Sequence, residues 1–250
     1  MSQALRTDGL SKHFGAFKAN SEITLSLAPG ARHALIGPNG AGKTTFINLL
    51  TGVYAPTAGD VFLGDERITA LAQHERARRG LTRTYQITTL FPGLTVLESV
   101  VLAINERTGR ARSWWRNVAS CRAEASEAME ILHRLRLERD AGLPTRALPY
   151  GKQRLLEIAV ALATRPRFLL LDEPAAGIPS AESAELFEVL AALPRDVMLL
   201  FIEHDMELVF RFAERVTVLV GGSVLVEGTP QEIARDARVK EVYLGEAADG

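Results

Sequence analysis

Segments with the hydrophobic spacing of strands occupy both ends of the chain. In residues 21–27 (SEITLSL) apolar and polar side chains alternate, which predicts a strand that is buried on one face. Phe168–Leu171 and Val197–Ile202 are continuous apolar runs, the pattern of strands that are buried on both faces of a parallel sheet. Near the end of the chain, Val216–Val220 and Val224–Val226 flank two glycines, which indicates a hairpin.

The pattern between these strands, from about residue 95 to residue 165, is helical. Thr95 and Glu98 form a capping box at the start of one predicted helix. Residues 123–137 form a second predicted helix, and apolar side chains at helical spacing predict a third from about Leu155. The pattern therefore predicts an α/β fold with a helical section inserted between its two ends.

Length and composition fit one large domain. The chain has 250 residues, of which 47% are hydrophobic, so it can bury a sizeable core. We expect a single domain over residues 1–250, with its core at about 1–86 and 165–250 and the helical section at about 87–164. The net charge of −1 gives no indication of a nucleic-acid partner.

Cysteine content and the length of the apolar stretches indicate the cellular compartment. Cys121 is the single cysteine, which excludes an internal disulfide and suits a reducing compartment. The first residues lack the apolar core of a signal segment. Strongly apolar stretches such as Val197–Ile202 are far shorter than the roughly 18–20 residues that cross a bilayer. We therefore expect a cytosolic chain, or one that partners hold at a membrane.

The strongest motif is GPNGAGKT, between a predicted strand at Ala34–Ile36 and a predicted helix at Thr45–Leu50. It matches G-x-x-x-x-G-K-[ST], in which glycines let backbone N–H groups point at phosphate oxygens. The lysine adds positive charge at the β- and γ-phosphates, and the hydroxyl that follows it suits Mg²⁺. The predicted nucleotide loop consists of Gly37, Pro38, Asn39, Gly40, Ala41, Gly42, Lys43, Thr44 and Thr45.

Two other predicted strands end in polar side chains. FLLLDEP ends in Asp172, which we expect to hold Mg²⁺ through water, and Glu173, which is placed to polarise the attacking water. Val197–Ile202 is followed by His204, which would lie beside the γ-phosphate if the three strands are parallel neighbours. In isolation, Asp172 and Glu173 would equally suit an ordinary surface turn, and His204 would better suit a solvated strand end.

Together these residues resemble the ATPase subunits of ATP-binding cassette (ABC) transporters, over almost the whole chain. The resemblance implies a P-loop NTPase core sheet with an N-terminal antiparallel β-subdomain and an inserted helical subdomain. It implies that Phe14, 29 residues before Lys43, stacks on adenine, and that Gln86 touches Mg²⁺ and the attacking water. Thr44, Gln86 and Asp172 are then the expected Mg²⁺ contacts, and Glu173, His204 and Gln86 the expected catalytic group.

LPYGKQ falls where this family carries its Leu-Ser-Gly-Gly-Gln signature. In the family, the signature of one ATPase subunit contacts the ATP that the other subunit holds. The corresponding contacts here would come from Tyr150, Gly151, Lys152 and Gln153. Pro149 replaces the signature Ser and Tyr150 replaces its first Gly, and Pro179 stands where the family often has Asp or Asn.

The Tyr-Gly signature also resembles one branch, the ATPases of branched-chain-amino-acid-type importers. RTYQITTLFPGLTVLESVVLA, LDEPAAG and EVYLGE fit the same branch. The resemblance implies ATP and Mg²⁺ as ligands, a second ABC ATPase and two transmembrane permeases as partners, and a solute-binding protein as an indirect one. It implies a peripheral position on the cytoplasmic face of the inner membrane and gives no indication of nucleic-acid binding.

Alternatives remain at this point. The ATPase of lipopolysaccharide export resembles the chain around Gln86, although we expect it to keep a Ser-Gly-Gly signature. A soluble ABC protein of repair is disfavoured, since the 82 positions from Gln86 to Phe168 leave no room for long coiled coils. One of translation is disfavoured because those factors carry two cassettes in one chain and this chain has one nucleotide loop motif. Residues 105–122, rich in Arg and holding Trp114 and Trp115, would suit either a contact with lipid or permease or a solvated helical arm.

Overall fold

A computed structural model describes residues 4–84, 90–109 and 122–246. Gln86 and most of the Arg- and Trp-rich section lie outside the described residues. The described residues divide into two compact units. The first unit contains the chain up to Leu81, Arg167–Glu173 and the chain from Pro194 onwards, and the second contains Thr82–Pro166 and Pro174–Leu193.

The described residues form two β-sheets. In chain order they are β1 Leu5–Phe14, β2 Phe17–Leu27, β3 Arg32–Ile36, β4 Ala58–Leu63, β5 Glu66–Arg67, β6 Leu81–Arg83, β7 Phe168–Asp172, β8 Met198–Ile202, β9 Arg215–Val220 and β10 Ser223–Gly228. The α-helices of the described residues are α1 Lys43–Thr51, α2 Gln73–Arg78, α3 Val96–Arg107, α4 Arg122–Arg134, α5 Tyr150–Ala163, α6 Ser180–Ala191, α7 Met206–Phe212, α8 Pro230–Arg235 and α9 Ala237–Glu246.

One sheet is antiparallel, with the order β2-β1-β4-β5. The predicted strand at residues 21–27 forms the second half of β2, and its side chains alternate between buried Ile23, Leu25 and Leu27 and exposed positions. This alternation is expected when one face of a sheet covers a core and the other faces water. The N-terminal antiparallel β-subdomain is therefore confirmed.

The other sheet has the order β10-β9-β3-β8-β7-β6. β3 pairs in parallel with β8 and β9, and β7 pairs in parallel with β8. Every residue of β3, β7 and β8 is buried. The continuous apolar runs of β7 and β8 predict this burial, whereas β3 buries Arg32 and His33 beside its apolar residues. β8 therefore lies between the strand that precedes the nucleotide loop and the strand that ends at Asp172, and all three end at the same edge.

The second unit contains the three helices that the sequence predicts between about residues 95 and 165. Thr95 Oγ1 accepts a hydrogen bond from the Glu98 N–H and the Glu98 carboxylate accepts one from the Thr95 N–H, so the capping box of α3 is confirmed. α4 ends at Arg134, three residues before the predicted end, and Arg136 takes a left-handed φ of 58° just beyond it. Such a residue terminates a helix, because the chain leaves the right-handed region there.

Candidate functional site

The loop from Gly37 to Gly42 joins β3 to α1 in the first unit. A Cβ on Gly37 would lie 2.1 Å from the Leu219 carbonyl oxygen, and one on Gly42 would lie 2.3 Å from the Ala19 carbonyl oxygen. Both glycines have φ in the left-handed region, at 150° and 94°, so neither position accepts a side chain. The loop's tight fold thus depends on the glycines that define the sequence motif.

Lys43 begins α1, and its side chain folds back over the loop. Its Nζ donates hydrogen bonds to the carbonyl oxygens of Gly37, at 2.5 Å, and Pro38, at 2.9 Å. The side chain is buried, so its charge acts where water screens it weakly. The ammonium group is therefore held at the loop, where the first-turn N–H groups of α1 also favour an anion.

A cavity of about 250 Å³ opens on this loop within the first unit. Two residues that follow other strands of the sheet also line this cavity, Glu173 after β7 and His204 after β8. Its other lining residues are Phe17, Ala19, Asn39, Gly40, Ala41, Gly42, Lys43, Thr44 and Thr45. Parallel pairing of β3, β8 and β7 brings these residues together, although 161 positions separate Lys43 from His204 (204 − 43).

Glu173 and His204 form a hydrogen-bonded pair, with 3.0 Å between Glu173 Oε1 and His204 Nε2. The backbone of Glu173 has a φ of 50°, which is uncommon for a residue other than glycine, and its N–H donates to the Ile202 carbonyl oxygen at 3.1 Å. Non-glycine residues in this region occur often at functional sites, where surrounding structure holds the strained backbone. The bend directs the carboxylate into the cavity beside the nucleotide loop.

Two of the predicted magnesium contacts, Thr44 and Asp172, carry oxygen donors and lie in the first unit. Thr44 is exposed in the cavity, while Asp172 is buried at the end of β7. A hydroxyl and a carboxylate are the oxygen donors that Mg²⁺ prefers, and a nucleotide and water supply the rest of such a shell. The described residues contain no group of three or more His, Cys, Asp or Glu side chains that could enclose a metal by themselves.

The β1–β2 hairpin carries two exposed phenylalanines near its turn. Phe14 is 45% exposed and packs edge-to-face on Tyr54, with ring centroids 5.5 Å apart. Phe17, its partner across the hairpin, is 63% exposed and lines the cavity. Phe17 is a cavity residue that the sequence motifs did not predict, although its place at the same turn as Phe14 was a usable signal. The stacking of Phe14 on adenine stays a prediction.

The signature-like residues lie in the second unit at the start of α5. The helix begins at Tyr150, five residues before the start at about Leu155 that the apolar spacing predicts, so Tyr150 and Gly151 belong to its first turn. Pro149 is the N-cap and provides no side-chain hydrogen bond. Gln153 Nε2 donates a hydrogen bond of 2.9 Å to the Leu148 carbonyl oxygen, which links the first turn of the helix to the residue before its N-cap.

Side chains of this first turn are fixed by neighbours. Lys152 Nζ lies 2.7 Å from Asp140 Oδ2. The Tyr150 hydroxyl accepts a hydrogen bond of 2.6 Å from Arg154 Nη2, and Arg154 in turn pairs with Glu157 at 2.9 Å. Tyr150 thus occupies the position of a small signature residue with a ring that its own helix holds in place.

In the described parts of the chain, no helix is both long and apolar enough to cross a membrane. This agrees with the short apolar runs of the sequence.

Comparison with known proteins identifies the family. A family model described as "ABC transporter" matches residues 21–176, and one described as "Branched-chain amino acid ATP-binding cassette transporter" matches residues 223–249. The high-affinity branched-chain amino acid transport ATP-binding protein LivG of Escherichia coli K12 is 41% identical, over 99% of this chain and 100% of LivG. BraF of Pseudomonas aeruginosa PAO1, which has the same description, is 39% identical over 97% of this chain and 98% of BraF.

Solved structures agree with this assignment. The ADP conformation of the ABC transporter cassette MJ1267 has a TM-score of 0.84 and 29% identity, over 98% of this chain and all of that chain. The dimeric structure of the bacterial ABC transporter cassette MJ0796 has a TM-score of 0.75 and 26% identity, over 90% of this chain and 98% of that one. The chain therefore belongs to the ATPases of the ABC transporter family, in the branch of the branched-chain amino acid transporters.

Proposed function

We propose that this chain is the ATP-hydrolysing subunit of an ABC importer that takes up branched-chain amino acids or related small solutes. One observation carries the proposal: Lys43, Glu173 and His204 share a single cavity at the ends of three parallel strands. The relatives are named for high-affinity branched-chain amino acid transport, which favours amino-acid transport over lipopolysaccharide export and over a soluble role without transport.

In this proposal the loop residues Gly37–Thr45 bind the phosphates of ATP, and Lys43 leaves its carbonyl partners to neutralise the β- and γ-phosphates. Glu173 orients water for in-line attack and accepts its proton, and His204 holds the carboxylate in that orientation. Thr44 and Asp172, with Gln86, would hold Mg²⁺. The bound ion would neutralise charge that develops on the phosphates.

Hydrolysis also needs a second ATPase in this proposal. Tyr150, Gly151, Lys152 and Gln153 would contact the nucleotide that the other ATPase holds, and the other ATPase would do the same for this chain. The N-terminus of α5 suits a phosphate, because its first N–H groups lack helical partners. The section at about residues 87–164 would form the helical subdomain that moves the permeases.

The proposed assembly places this chain at the cytoplasmic face of the inner membrane, bound to two permease subunits and indirectly served by a solute-binding protein. The test is copurification of this chain with its permeases, followed by an ATP-dependent uptake assay in proteoliposomes over a panel of amino acids and other small solutes. We expect uptake of branched-chain amino acids that Glu173→Gln in this chain abolishes. ATP hydrolysis without uptake of any amino acid on the panel would contradict the proposed substrate class.

A further inference from the structure

A carboxylate lies against the first turn of α5, within the second unit. A Cβ on Gly151 would lie 2.6 Å from Glu182 Oε2, so this oxygen fills the space beside the glycine. Glu182 itself lies in the first turn of α6 and is exposed. Glycine at position 151 therefore accommodates the carboxylate of Glu182 as well as any ligand of the turn.

Ion pairs neutralise charged side chains of the α5 turn, whereas Glu182 beside that turn has no partner among the described residues. Lys152 is paired with Asp140 at 2.7 Å, and Arg154 is paired with Glu157 at 2.9 Å. Glu182 forms no hydrogen bond or ion pair with any of the described residues. One negative charge thus remains beside Gly151 without a described cation to balance it.

The same turn is the place where a phosphate would bind. The N–H groups of Tyr150, Gly151 and Lys152 precede the first helical hydrogen bond, which Gln153 N–H donates to the Pro149 carbonyl oxygen. Such N–H groups and the helix dipole favour an anion. A phosphate on this turn and the Glu182 carboxylate would repel each other at a few ångströms, where water screens the repulsion only in part.

We propose that Glu182 sets the ATP concentration at which the two ATPases close, because its charge opposes the γ-phosphate that the partner presents to the α5 turn. The inference rests on the proposed function. The carboxylate is the end of a flexible, exposed side chain, so it withdraws when the phosphate arrives. The repulsion is therefore a graded cost of closure and not a block.

The test uses the complete complex of permeases and both ATPases. Glu182→Gln keeps the size of the side chain and removes its charge. We expect the apparent KM for ATP to fall by about threefold to tenfold with little change in kcat, since the charge acts on closure. ATP binding by the isolated chain, which uses the Lys43 cavity, should stay the same. Raising the salt concentration should shrink the difference between variant and wild type, because salt screens exposed charges.

Glu185→Gln is the matched control, since it removes the same charge from the same helix, where Glu185 pairs with Arg136 at 3.3 Å. Glu182→Asp keeps the charge, so its apparent KM for ATP should stay close to that of the wild type. An unchanged KM in Glu182→Gln, or an equal shift in Glu185→Gln, would overturn the inference while hydrolysis by the wild-type complex still supports the proposed function. A wild-type complex that does not hydrolyse ATP would overturn both.

Discussion

Glu173 and His204 are joined by a hydrogen bond of 3.0 Å between Oε1 and Nε2, although each follows a different strand. Their pairing depends on β7 and β8 being parallel neighbours, with Asp172 opposite Ile202 in the register. The bond gives the carboxylate one defined orientation in the cavity of the nucleotide loop. A water-orienting group requires that kind of constraint.

Replacement of this carboxylate separates binding from hydrolysis. Glu173→Gln keeps the shape and removes the base, so we expect kcat to fall by about 100-fold or more while ATP affinity is retained. ATPase rates of the reconstituted complex and nucleotide titration of the isolated chain measure the two effects. We expect the equivalent glutamate-to-glutamine change in the partner ATPase to reduce kcat by less. The partner's nucleotide site would rely on the Tyr150-Gly151 turn of this chain. Normal steady-state hydrolysis in Glu173→Gln would show that the base lies elsewhere.

Loss of the loop lysine should weaken nucleotide binding itself. Lys43→Ala removes the cation that the loop holds above its carbonyl oxygens, and hydrogen bonds to charged groups contribute about 1.5–3 kcal/mol each. We expect the Kd for ATP to rise by at least tenfold, measured by titration calorimetry. Lys240→Ala, an exposed lysine of α9, is the control and should leave the affinity intact. Equal affinities for both variants would argue against the loop as the phosphate site.

The two hairpin phenylalanines offer a test of nucleobase binding. Phe14→Ala should weaken binding of ATP by roughly 1 kcal/mol if this ring stacks on adenine, with inorganic triphosphate unaffected. Phe17→Ala provides the comparison, since Phe17 lines the cavity and Phe14 packs on Tyr54. A loss confined to Phe17→Ala would transfer the adenine contact to Phe17. A loss for triphosphate as large as that for ATP would exclude a base contact.

A buried arginine should stabilise the helix that follows the nucleotide loop. Arg76 is 1% exposed, and its guanidinium donates to the carbonyl oxygens of Leu49 and Leu50 at the end of α1, and to those of Thr69 and Leu71. Arg76→Met would leave these acceptors without their donor, so we expect a loss of about 2–4 kcal/mol in the free energy of unfolding. Chemical denaturation measures it, with exposed Arg78→Met as the control. A loss below about 0.5 kcal/mol would contradict this role.

Acid should destabilise the fold through His33 in β3. Burial lowers the pKa of His33 from 6.5 to about 4, against a smaller opposite effect of the Glu227 charge. The folded chain therefore keeps the imidazole neutral while the unfolded chain binds a proton below pH 6.5. Stability from this group is complete above pH 6.5, falls as the pH drops, and is reduced by about 3 kcal/mol at pH 4.

Denaturation of wild type and His33→Gln from pH 7.5 to pH 4 isolates this contribution from that of the carboxylates. The difference between the two stabilities should change with pH over that window, whereas exposed His74→Gln should follow the wild type throughout. Parallel stability curves for His33→Gln and wild type would show that His33 does not titrate as its burial implies.

Features that depend on residues close together along the chain were predictable from the amino-acid sequence. The nucleotide loop was predictable because Gly37 and Gly42 need φ values that other residues resist and because Lys43 follows Gly42 directly. The capping box of Thr95 and Glu98 was predictable because its two hydrogen bonds connect residues three apart. The continuous apolar runs Phe168–Leu171 and Val197–Ile202 similarly predicted β7 and β8, since a strand that is covered on both faces is mostly apolar.

Contacts between segments that are distant along the chain depend on the three-dimensional packing of the elements. Nothing local to His204 specifies that β8 lies between β3 and β7, yet this strand order brings the imidazole to Glu173 and both to the nucleotide loop. The contact of Glu182 with Gly151 likewise joins two helices that are far apart along the chain. Such contacts depend on how whole elements pack around a common core. Their residues therefore carry no periodic signal in the sequence.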